Sequence, residues 1–150
     1  MATPLDIDLP ALAEALDAGP SVSCAYYLDR LTGGVEMVLQ EAFDEQALFA
    51  DVRNDPARYR PLPLAPAWLR RDLRRRFVEA QVEAPHVRVQ LLEALEARQA
   101  LGGFARLLRL HPTLQEGFSA YRAQALAPLA REWLASEKIR ARLLGADQEE

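Results

Sequence analysis

One cysteine, Cys24, stands in a chain of 150 residues. A single thiol cannot close an internal disulfide, and no zinc ligand set can be assembled around it. That scarcity fits a reducing, cytoplasmic setting. Lysine is almost missing: Lys138 is the only one, and every other base is arginine. No apolar run approaches the roughly 18 residues of a membrane helix. The first ten residues carry Asp6 and Asp8 and lack the basic and apolar regions of a signal peptide. The glycine pairs Gly33-Gly34 and Gly102-Gly103 come without a P-loop lysine or a dinucleotide fingerprint. There is no internal repeat, low-complexity linker or sign of a second unit, so residues 1–150 read as a single domain. A domain of this size buries roughly 70% of its unfolded surface and needs no disulfide or metal to hold a core.

What is present is charge, unevenly spread within a net −4. Residues 1–52 hold ten acids and one base. Residues 53–109 hold twelve arginines and six acids, and residues 110–150 are nearly balanced. Either the two parts attract each other within one fold, or the basic part offers a face to a partner.

Leu9, Leu12 and Leu16 recur at helical spacing and stop at Gly19-Pro20, which predicts a short amphipathic helix. Two runs of strand formers, Val22 to Leu28 and Val35 to Leu39, flank Thr32-Gly33-Gly34 and predict a β-hairpin. An isolated hairpin is marginal in water, so this one should pack on helices. Asp44 can cap a helix through about Val52, broken by Asn54-Asp55-Pro56. Two prolines make Arg58 to Leu64 extended, as in an edge strand beside the hairpin.

From Pro66 to residue 83 the spacing predicts a helix with Leu69, Leu73, Phe77 and Ala80 on its core face. Arg70, Arg71, Arg74 and Arg75 fall on the other face, together with Trp68, Val78 and Val82. Pro85 opens the next helix, with Val87, Leu91, Ala94 and Leu95 as its buried stripe. Gly102-Gly103 reads as a break, followed by a short helix of Phe104, Leu107, Leu108 and His111. Thr113 and Glu116 have capping-box spacing ahead of a long helix. Its stripe is Leu114, Phe118, Tyr121, Ala125, Leu129 and Trp133, and Pro128 should kink or divide it. Trp133, Tyr59 and Trp68 are expected as core anchors. The polar tail, residues 145–150, should fray. The fold class predicted is α+β, mainly helical: a small N-terminal antiparallel hairpin packed against a C-terminal helical bundle.

Four groups of residues carry a resemblance: Tyr27-Leu28-Asp29 with Thr32-Gly33 and Val35; Arg58-Tyr59 with Leu62-Pro63; Gly103-Phe104; and Phe118 with Tyr121 before Trp133-Leu134. In this order and spacing, over about residues 9–139, the chain resembles the small bacterial proteins of uncharacterised protein family 0158. It departs from the family pattern at Gly34, where a glutamate is usual, and at Leu107 and Leu108, where the family tends to Phe and Lys. The resemblance implies a bacterial protein and a shared fold, and it implies no reaction.

No residue set reaches a catalytic constellation, and no cofactor or metal is predicted. Cys24 reads as a core cysteine, because no base is placed near it. His86 and His111 read as residues of helix ends. Asp29 reads as a turn residue whose carboxylate holds backbone amides. Glu41, Asp44 and Glu45 suit a helix start. Arg70, Arg71, Arg74 and Arg75 form the candidate partner-binding surface, since clustered guanidinium groups grip phosphate or acidic protein. The leading expectation is a non-enzymatic binding or regulatory module that contacts a protein partner. The alternatives are an arginine-mediated nucleic-acid contact and an enzyme with a site near Tyr27 and Asp29.

Overall fold

The computed structural model describes residues 4–19, 24–39 and 46–145. In chain order these form β1 (Leu5–Asp8), α1 (Leu9–Leu16), β2 (Cys24–Asp29), β3 (Val35–Leu39), α2 (Gln46–Asn54) and β4 (Tyr59–Pro61). Then come α3 (Ala67–Gln81), α4 (Pro85–Glu96), α5 (Ala100–Arg109), α6 (Pro112–Ser136) and β5 (Ala141–Leu144). The fold is mainly helical α+β. Strands β3, β2 and β4 make an antiparallel sheet in that order, and β1 pairs in parallel with β5. Among the described residues no helix is long and apolar enough to cross a membrane.

The hairpin does not stand alone. Leu28 of β2 is fully buried in the same core as Phe77, Phe104 and Leu126, and Val35 of β3 packs on its margin. Both α1 and α2 touch β3, and Leu9, Leu12, Ala13 and Leu16 of α1 are fully buried. Helix α1 also lies along α6. A smaller cluster of Val38, Val52 and Tyr59 fills the gap between the sheet and α2. Tyr59 is thus the anchor expected of it, and β4 is the expected edge strand beside β2. Gly33 is needed on two counts. Its φ is +80°, and a Cβ there would lie 2.5 Å from the Asp6 carbonyl oxygen of β1.

Several expectations fail in one common way. On α6 the buried row is Phe118, Ala123, Leu126, Ala127, Ala130 and Leu134. It is centred more than a third of a turn, about 130°, from the stripe of large residues at 100° per residue. Small alanines bring α1 close to α6, so Ala125 is exposed and Leu114, Tyr121, Leu129 and Trp133 sit only half-buried on the margin. Trp133 is therefore not a core anchor. On α3, Val78 is fully buried and Val82, just past its end, nearly so, whereas Ala80 is exposed and Leu69 half-buried. Ala94 of α4 is also half-buried. Trp68 is 69% exposed and anchors nothing.

Gly102 and Gly103 do not break a helix: they lie inside α5, and the break falls at residues 97–99. The cost of two helical glycines is offset by the buried Phe104 and Leu108 that follow them. A Cβ at exposed Gly102 would meet only the Arg106 guanidinium, at 3.8 Å. Gly102→Ala should therefore raise stability by about 0.5–1 kcal/mol, read as a higher urea midpoint. An unchanged or lower midpoint would contradict it. The Thr113–Glu116 capping box is also absent. Pro112 opens α6 instead, with His111 as its uncapped N-cap residue, and α6 runs undivided through Pro128. Strands β1 and β5 have no counterpart in the sequence reading. Asp44, with Glu41 and Glu45, and residues 146–150 of the tail lie outside the described residues.

Candidate functional site

The arginines of α3 divide between two environments. At 100° per residue, Arg70 and Arg74 lie about 100–140° round the helix from Leu69, whereas Arg71 and Arg75 lie at about 200–240°. The first pair faces the carboxyl end of α1. There Asp17, the C-cap residue, adds a carboxylate to carbonyl groups that already make that end negative. Three guanidinium groups answer it. Arg74 donates to both carboxylate oxygens of Asp17, with Nη1 at 2.9 Å from Oδ1. Arg122 of α6 donates to Oδ2 at 3.1 Å, and Arg70 Nε donates to the Asp17 backbone carbonyl at 3.1 Å. Arg74 and Arg122 also lie over the Phe118 ring, at 5.1 and 5.2 Å. The Asp17 side chain is 2% exposed. Arg70 and Arg74 therefore do not reach solvent with the others; an acid of the N-terminal third covers them.

The second pair lines an open cleft of about 980 Å³ between α3 and the start of α5. Arg71, Arg75 and Arg76 come from α3, and Arg98 comes from the turn before α5. Trp68, Asp72 and Leu101 complete the wall. Asp72 is the one acid in the lining, and it pairs with Arg76 at 2.9 Å. Arg75 meets the exposed Glu96 only at 3.5 Å. Among the described residues the side chains of Arg71 and Arg98 make no ion pair or hydrogen bond. A second, smaller cleft of about 300 Å³ lies between α3 and α6, bordered by Leu69, Tyr121 and Ala125.

Sequence reasoning singled out Arg71 and Arg75 but missed Trp68's exposure, Arg76, Arg98 and Asp17. A signal for Asp17 was available. An acid at the end of a predicted helix, just before Gly19-Pro20, sits at the wrong pole of the helix and calls for a cation.

Asp29 holds the hairpin turn as expected. Its Oδ1 accepts from the Leu31 amide at 2.9 Å, and its backbone carbonyl accepts from the Gly33 amide at 2.8 Å. It also has an unforeseen partner: Arg58, ahead of β4, donates to both oxygens at 2.9 Å. Those hydrogen bonds hold the Asp29 carboxyl below the usual carboxylate range; burial opposes them, and the Leu31 amide and the charge of Arg58 assist. Stability from this group is present above the unfolded pKa of about 3.9 and is lost as pH falls through the lower folded value. Asp29→Asn should therefore flatten the acid limb of a stability-against-pH curve taken between about pH 2 and 5. Parallel acid limbs for the two proteins would refute this.

Tyr27 is half-buried beside Val38 and Tyr59. The two clefts above are lined by neither Tyr27 nor Asp29. Cys24 is half-buried at the start of β2 rather than in the core. His86 is exposed and His111 half-buried, and among the described residues no group of His, Cys, Asp and Glu is placed to hold a metal. Pro63 is half-buried after β4, and Phe104 is buried in the core.

This fold, with its sheet braced by Asp29 and Arg58 and its turn fixed by Gly33, is that of a mainly helical α+β protein. The profile of the uncharacterised protein family UPF0158 matches residues 2–144, and the chain belongs to that family. It is 31% identical to the UPF0158 protein PA5073 of Pseudomonas aeruginosa, over 91% of this chain and 86% of that protein. No solved structure matches the chain.

Proposed function

We propose that this protein is a non-enzymatic binding module that receives an acidic segment of a protein partner in the cleft between α3 and α5. The observation that carries the reading is the pair Arg71 and Arg98. They face an open cleft with no anionic partner among the described residues, beside the exposed Trp68. Clustered cations repel one another, and an acidic ligand relieves that repulsion. Aromatic and arginine side chains together are typical of contact surfaces. The open shape suits an extended segment better than an enclosed small molecule. Asp29, held ionised with both oxygens taken by Arg58, suits a structural brace better than acid–base chemistry.

The same arginines beside Trp68 also favour, as a second reading, a single-stranded nucleic acid stacked on the indole. The net charge of −4 weighs against it. Trp68 fluorescence during titration with a glutamate-rich peptide and with a single-stranded oligonucleotide tests both. Peptide binding should be saturable. It should fall tenfold or more in the double variant R71E/R75E, whose stability should stay within about 1 kcal/mol of wild type because both residues lie at the surface. Wild-type affinity in that variant would reject the cleft. Tighter binding of the oligonucleotide, with affinity falling steeply with salt, would favour the second reading over the first.

A further inference from the structure

The cleft is not uniform along its length. On the α3 wall Ala67 and Trp68 stand at the start of the helix, with Arg71, Arg75 and Arg76 further along it; Arg98, Gln99 and the opening turn of α5 supply the other wall. The first bond within α5 runs from the Gly103 amide to the Gln99 carbonyl at 2.9 Å. The amides of Ala100, Leu101 and Gly102 therefore have no acceptor within the helix. Nothing in the local sequence compensates them: Gln99 makes no capping bond with its side chain, and the first turn of α5 carries no acid. The unpartnered Arg98 stands immediately before these amides, with Arg71, Arg75 and Arg76 lining the same cleft. A carboxylate offers one negative charge to this array. A phosphate monoester offers nearly two, with three acceptor oxygens matched to the forked donors of arginine.

We propose that the α5 wall of the cleft takes a phosphate group, carried on a phosphorylated side chain of the acidic segment. Arg98 and Arg75 grip it, Arg71 adds charge, and Trp68 at the start of α3 packs against the segment. This rests on the reading of the cleft as a contact surface and narrows its ligand. Gly102 keeps the wall low there, since a Cβ would meet nothing nearer than the Arg106 guanidinium.

The test uses the full chain with Trp133→Phe, which leaves Trp68 as the only tryptophan and so the only indole reporter. Two glutamate-rich peptides of one sequence are titrated, one with phosphoserine and one with serine at its centre. The phosphopeptide should bind at least tenfold tighter. Inorganic pyrophosphate should displace it, while acetate at matched ionic strength should not. Arg98→Ala should weaken both peptides, the phosphopeptide at least tenfold more than the serine peptide, so that the difference between them disappears, with circular dichroism confirming an intact fold. Equal affinity for the two peptides overturns the phosphate site and leaves the cleft reading standing. Failure of both peptides to bind overturns both. Inorganic phosphate or ADP binding more tightly than the phosphopeptide overturns the assignment to a protein segment.

Discussion

Replacing Asp17 by alanine should cost about 3–5 kcal/mol of folding stability, the loss typical when one member of a buried ion pair is removed. The magnitude follows from what is left behind. Arg74 and Arg122 are more than four-fifths buried and lie against the Phe118 ring, so neither can swing into water without opening the packing of α3 on α6. Arg122 already has a buried Nε with no hydrogen-bond partner among the described residues, and losing Asp17 would strand a second of its donors. Asp17→Asn keeps the volume but not the charge, and it should lose most of the same stability. Replacing two members together, as in D17L/R74M, should be milder than D17A alone, because a cation is removed with its partner. Urea denaturation of the three variants reads all of this. A D17A loss under 1 kcal/mol would mean that the guanidinium groups are free to hydrate.

Truncating Phe77 to alanine should cost a comparable amount, about 3–5 kcal/mol. Its ring is fully buried, meets Phe118 edge-on at 5.3 Å between centroids and lies 5.7 Å from Tyr121. Phe104 extends the same aromatic row through Phe118, also at 5.7 Å, so that α3, α5 and α6 meet ring against ring. The equivalent change at half-buried Trp133 should cost distinctly less, although tryptophan is the larger side chain, because part of its surface stays wet in the folded state. Guanidinium titrations of the two variants decide it. Equal losses would put Trp133 back among the core anchors.

These two expectations mark where the sequence could be read and where it could not. Helices α1, α3, α4 and α6, the hairpin and β4 each have a local signature: leucines at helical spacing, a Gly-Gly turn, a proline at a helix start, paired prolines in an extended run. The rotation of the helices about their axes had none. Large apolar residues suggested one core face for α3 and α6, but burial also follows small side chains and paired charges. Ala123, Ala127 and Ala130 admit α1, and Arg74 is drawn inside by Asp17, 57 positions earlier in sequence. No period within a single helix encodes that partner. Of the two outcomes that the charge pattern left open, Arg70 and Arg74 take the internal one, with Asp17 as the acid that covers them. The half that is open, Arg71 and Arg75, gained Arg98 only through the turn between α4 and α5. Strand β1 was within reach, since Ile7 between Asp6 and Asp8 is a short alternation with one buried position. Strand β5 was not, because four residues that are half-buried at best read as a tail until a partner strand is known.

The parallel pairing of β1 with β5, from Leu5 on Ala141 to Asp8 on Leu144, ties the earliest strand to the last. During synthesis β1 emerges ahead of the other described elements and has no strand partner among them until the six described helices have been made. The oily helix α1, joined directly to β1, likewise waits for α6. Closing so long a loop raises the entropic barrier ahead of the contacts that reward it, and chains dominated by distant contacts fold slowly. The segment from β1 through α1 therefore waits for its main partners until α6 and β5 have been made.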